Sequence, residues 1–133
     1  MIPEEIPGGV ERILLVEDEV MLLDLLATIL EARGYTVLTA KDGVEAIEVF
    51  TQQEGKIDLI ISDMGLPRLG GWEMFQRIKE IDGKVKAILA SGYLDPDLRA
   101  EMIRAGAKDF IQKPYEPDII LKRIREVIDG VPE

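Results

Sequence analysis

The sequence predicts an α/β domain built on a doubly wound parallel sheet, and two observations predict it. Five short apolar runs alternate with five stretches of three- and four-residue apolar spacing along 133 residues, the pattern of strands alternating with helices. One run, Leu59-Ile60-Ile61, carries no polar alternation, as expected of a strand covered on both faces. Right-handed crossovers then bring the carboxyl ends of the strands to one edge, where open α/β folds place their ligands.

The length suits one domain, and 47% hydrophobic residues suffice for its core. A net charge of −10, with scattered Lys and Arg, argues against a nucleic-acid surface. With no cysteine there is neither a disulfide framework nor thiolate chemistry. No apolar run approaches membrane-spanning length and no signal peptide opens the chain, so a soluble, cytoplasmic domain is expected.

Residues 1–9 (MIPEEIPGG) read as a linker or disordered lead-in, and the domain is expected over 10–130. Arg12 to Val16 is the first strand and stops at Glu17-Asp18-Glu19. From Val20 to Arg33, Met21, Leu22, Leu25, Leu26, Ile29 and Leu30 mark an amphipathic helix closed by Gly34. Tyr35 to Ala40 is the second strand, and Val44 to Gln53 the second helix. The third strand ends at Asp63, where Gly65 and Pro67 interrupt it. Trp72 to Ile81 forms the third helix, with Trp72 in the core, and Val85 to Ala90 the fourth strand, ending at Ser91-Gly92. Asp95-Pro96 and Glu116-Pro117 read as caps followed by a first-turn proline. They open the last two helices, on either side of a short strand from Asp109 to Gln112 that closes at Lys113-Pro114.

Taken singly, each polar strand end has an ordinary explanation, since acids cap helices and most lysines are solvated. Taken together, Glu17, Asp18, Asp63, Ser91 and Lys113 fall on one edge. Three carboxylates gathered there repel one another unless a cation is present, and a hard divalent ion such as Mg²⁺ takes oxygen ligands. A carboxylate in that setting can attack phosphorus, with a hydroxyl and an ammonium to receive the phosphoryl oxygens.

These residues carry a resemblance. The segments ILLVEDE, DLIISDMGLPRLGG, ILASGY and GAKDFIQKPY resemble, in order, those of receiver domains of two-component response regulators, from about Glu11 to Ile128. The resemblance implies the flavodoxin-like (βα)5 fold with strand order 2-1-3-4-5. It implies that Asp63 accepts a phosphoryl group from a histidine kinase or phosphotransfer domain. Mg²⁺ would be held by Glu17, Asp18, Asp63 and the Gly65 carbonyl, with Glu17 acting mostly through a metal-bound water. Ser91 and Lys113 would bind phosphoryl oxygens, with Met64 and Gly92 beside them. Ser91 and Phe110 would form a switch acting on the face of the fourth helix, fifth strand and last helix, where Asp97, Glu101, Arg104, Lys108 and Lys122 are candidate exposed positions. Lys113-Pro114 falls where the family commonly has a cis peptide. Tyr93 is expected to shield the phosphoryl group from water, with Gly65 leaving a gap opposite.

Such a domain is a signalling phosphoacceptor and not an enzyme in the ordinary sense. Two alternatives within the fold are a pseudo-receiver that docks without phosphorylation and an Mg²⁺-dependent aspartate phosphatase. The phosphatase pattern would need an acid at Gly65. A flavin or nucleotide binder would want a glycine-rich loop where Glu17-Asp18-Glu19 stands. The SGY and FIQKPY wording resembles receivers of hybrid sensor histidine kinases.

Overall fold

A computed structural model describes residues 8–92, 96–105, 109–112 and 116–130. Five parallel strands, β1 (Arg12–Val16), β2 (Thr36–Ala40), β3 (Leu59–Asp63), β4 (Lys86–Ser91) and β5 (Asp109–Gln112), stand in the order 2-1-3-4-5. Between and after them run α1 (Val20–Ala32), α2 (Gly43–Gln52), α3 (Gly71–Ile81), α4 (Pro96–Arg104) and α5 (Pro117–Asp129).

The two-residue period of each strand divides the core into two layers. Leu14, Val16, Ile60, Ala87, Leu89 and Phe110 face Ala46 and Phe50 of α2, Met74, Phe75 and Ile78 of α3, and Met102 of α4. The alternate residues Ile13, Leu15, Leu59, Ile61, Ile88 and Ile111 face Leu23, Leu26 and Leu30 of α1 and Ile120, Leu121 and Ile124 of α5. Burial on both faces explains the unbroken apolar run in β3.

Several local expectations need correction. The stripe of α1 is turned from the expected one: Leu23 joins Leu26 and Leu30 in the core, while Met21 is 87% and Leu25 56% exposed. Helix α2 begins at Gly43 behind an Asp42 N-cap, whose side chain accepts from the Glu45 amide. Glu116 stands at the N-cap of α5 in extended backbone, but its side chain makes no cap bond. Trp72 packs against the core only half-buried. The Asp95 cap lies outside the described residues. Gly34, at φ +101°, follows the α1 cap as a left-handed stop.

Register levels the strand ends that matter. Val16 pairs with Ala40 on one side and Ser62 on the other, Asp63 with Ala90, and Ser91 with Gln112. The residues that follow β1, β3 and β4 therefore emerge side by side at the carboxyl edge.

Candidate phosphoacceptor and metal site

Glu17 leaves β1 with its amide donating to the Ala40 carbonyl at 3.1 Å. Its side chain turns back inward, only 2% of the residue remaining exposed, and Oε2 accepts from the Glu19 amide at 3.1 Å. Asp18 projects outward and Asp63 is half-buried at the end of β3. One carboxylate oxygen from each of Glu17, Asp18 and Asp63 lies within 4.8 Å of the others. Three acids this close, one of them buried, form an oxygen-only donor set that suits a small hard divalent cation.

Asp63 is held from behind by the start of α3. A Cβ on Gly71 would collide with the Asp63 carbonyl, so a side chain at that position cannot be accommodated without moving the strand end. The Ser62 hydroxyl, fully buried, donates to the same carbonyl at 2.8 Å. The Gly71 amide donates to the Met64 carbonyl at 3.0 Å and closes the loop between them. Within it Gly65 is exposed, and a Cβ there would find Asp63 Oδ2 at 3.8 Å, so this backbone runs alongside the carboxylate. The Met64 amide already donates to the Ala90 carbonyl at 2.9 Å.

Ser91 ends β4 half-buried and Gly92 follows it in an exposed bend, on the strand adjacent to Asp63. Phe110, on β5, is 9% exposed, and the Arg99 guanidinium of α4 lies 5.6 Å from its ring centre. The structure thus brings Glu17, Asp18 and Asp63 together and sets Met64, Gly65, Ser91 and Gly92 on the same edge. Lys113, Pro114, Tyr93 and Lys108 lie outside the described residues.

Two contributors went unread in the sequence. Asp42 accepts from the Glu45 amide at 2.8 Å while Glu45 accepts from the Lys41 amide at 2.7 Å. This variant of the capping box was signalled by an acid followed three residues later by glutamate. Arg68 pairs with Asp42 at 2.8 Å. No spacing rule announces a contact between two loops 26 residues apart.

Residues 13–125 match the family model of the response regulator receiver domain, and the chain belongs to that family. It is thus a receiver domain of the two-component signalling type, with CheY-like relatives. It is 36% identical over 118 residues to an uncharacterized transcriptional regulatory protein of Bacillus subtilis, YbdJ, covering 89% of this chain and 51% of that protein. To the chemotaxis protein CheY of Bacillus subtilis it is 32% identical over 119 residues, covering 89% and 98%. A CheX–CheY–BeF3–Mg complex from Borrelia burgdorferi superposes with a TM-score of 0.84 at 28% identity, covering 92% and 90%. The chain therefore spans about half the length of YbdJ and nearly all of CheY. Receiver domains bind Mg²⁺ through acidic residues, and here an acidic cluster of that composition stands at the strand ends. No helix among the described residues is long and apolar enough to cross a membrane.

Proposed function

We propose that this domain is the phosphoacceptor of a two-component relay, and that Asp63 carries the phosphoryl group. The observation that carries the reading is the meeting of Glu17, Asp18 and Asp63 at the carboxyl edge of the sheet. A phosphohistidine of a kinase or phosphotransfer domain would present its phosphorus to an Asp63 oxygen. The new P–O bond forms as the P–N bond breaks, and the imidazole nitrogen leaves with the bonding pair and takes up a proton from solvent.

Glu17, Asp18, Asp63 and the Gly65 carbonyl would hold Mg²⁺, which when bound supplies positive charge beside the transferring oxygens. The Ser91 hydroxyl, the Gly92 backbone and Lys113 are the proposed donors to those oxygens. A Met64 amide contact would be shared with the Ala90 carbonyl. The relative solved with BeF3 and Mg supports the same ligand chemistry here.

Output would pass through the face of α4, β5 and α5, with Ser91 and Phe110 as the moving pair. Asp97, Glu101, Arg104 and Lys122 are exposed there, as are the apolar Leu98, Ile103 and Ile119. The receiver of CheX–CheY engages a partner protein. Whether the partner here is a separate protein or another domain of a longer chain, we assign the recognition to this face.

Incubation with acetyl phosphate and Mg²⁺, followed by intact-mass measurement, tests the reading. Wild type should gain the mass of one phosphoryl group and Asp63→Asn none. Undiminished labelling of Asp63→Asn would remove Asp63 from the role.

A further inference from the structure

The loop after Asp63 is held against the start of α2 at two adjacent points. Gly43 lies so close to the Leu69 carbonyl that a Cβ would collide with it. Beside it, Arg68 reaches over to Asp42, with Nε and Nη2 at 3.0 and 2.8 Å from Oδ2. The Asp42 side chain is only 13% exposed, and its other oxygen accepts from the Glu45 amide at 2.8 Å. Each oxygen of this carboxylate therefore has its own task, one holding the end of α2 and one holding the loop. The Glu45 backbone bond, aided by Arg68, keeps the Asp42 carboxyl below its ordinary range.

Arg68 holds this position at a cost. Its φ is +62°, and the Leu69 amide donates to the Pro67 carbonyl at 2.6 Å across it, a three-residue turn in a region that L side chains rarely adopt. Glycine would take that turn freely, yet the glycines of this loop stand at 65, 70 and 71. Strain of this kind persists where the surroundings over-determine the conformation. The Asp42 contact is such a constraint.

We infer that Arg68 is a positioning residue for the Asp63 site: its pair with Asp42 fixes the Met64–Gly70 loop and so sets the Gly65 backbone against the Asp63 carboxylate. The inference rests on the proposed function of Asp63 and deepens it. A small hard cation tolerates little error in its ligand positions, and phosphoryl acceptance loses rate when the reacting carboxylate is misplaced. A surface ion pair without this role would contribute little of either kind.

The test compares wild type with Arg68→Gly, which relieves the turn while removing the side chain, and with Asp42→Asn, which keeps an oxygen for the α2 cap. Arg68→Lys keeps the charge without the fork. Melting temperature, Mg²⁺ affinity from amide chemical shifts, and the rate of phosphorylation from acetyl phosphate are measured on each. Arg68→Gly should melt at or above wild type, yet bind Mg²⁺ and accept phosphoryl several-fold more weakly. Asp42→Asn should show the same two losses, Arg68→Lys should recover part of them, and the double variant Arg68→Gly with Asp42→Asn should be no worse than the worse of those two alone. Mg²⁺ affinity and rate within twofold of wild type in both Arg68→Gly and Asp42→Asn would overturn the inference while leaving Asp63 in its role. A wild type silent to both Mg²⁺ and acetyl phosphate would overturn the two together.

Discussion

Arg125 of α5 reaches the Glu11 carboxylate before β1, with Nη1 2.6 Å from Oε1, and grips Asp129 one turn onward at the same distance. Its Nη1 also lies 3.5 Å from the Tyr35 hydroxyl. The side chains of Glu11 and Arg125 are each 21% exposed. The pair therefore ties α5 to the edge of the sheet opposite the Asp63 site, partly shielded from solvent.

The Arg125 hydrogen bond holds the Glu11 carboxyl below its ordinary value. A depressed carboxyl stabilises the fold fully above its unfolded pKa, and the contribution fades as pH falls through the lower folded value. Wild type should exceed Glu11→Gln in melting temperature at pH 6 to 7, with the gap closing toward pH 3. Arg125→Ala should cost about 1 kcal/mol, since it removes the guanidinium shared by the Glu11 and Asp129 carboxylates, which water can partly replace. Thermal and urea denaturation across that pH range check both, and a gap that widens in acid would contradict the assignment.

Glycine positions give a sharper contrast. Gly71→Ala should destabilise by about 1–3 kcal/mol, because the new methyl meets the Asp63 backbone carbonyl, which can give way only if the strand end moves. It should also slow phosphorylation. Gly83→Ala, with nothing within 4 Å of the added carbon, should change stability by less than about 0.5 kcal/mol. Equal effects at the two positions would show that α3 does not seat Asp63.

How much of this was legible beforehand depended on what each signal measures. Apolar runs without alternation reported burial on both faces, which is why β1, β3 and β4 and their terminal residues were found to within a residue. Helical spacing reports that a stripe exists but not its orientation when apolar residues extend around the helix. In α1 that spacing points to Met21 and passes over Leu23, the residue that enters the core. Glu17, Asp18 and Asp63 were readable because topology alone brings strand ends together. Arg68 and Asp42 were not, because their meeting depends on how two loops fold against each other.

A cation at the Asp63 edge should bind the folded chain and raise its melting temperature. At a hundredfold excess over the dissociation constant the expected stabilisation is about 2.7 kcal/mol. Asp18→Ala should lose most of the Mg²⁺-dependent rise. A variant that responds as fully as wild type would exclude Asp18 as a ligand.

Partner recognition is expected at the α4, β5 and α5 face. Hydrogen exchange with and without beryllofluoride and Mg²⁺ should change at residues of α4 and α5 as well as around Asp63. Changes confined to α2 and α3 would contradict the proposed output route.

On the proposed function, Asp63 itself forms the acyl phosphate. Wild type phosphorylated from acetyl phosphate with Mg²⁺ can be treated with borohydride, which reduces an aspartyl phosphate to homoserine, and then digested and sequenced by tandem mass spectrometry. Homoserine is expected at position 63, with Asp18 and Glu17 unchanged. Modification at Glu17 or Asp18, or a phosphorylated chain with aspartate intact at 63, would contradict it.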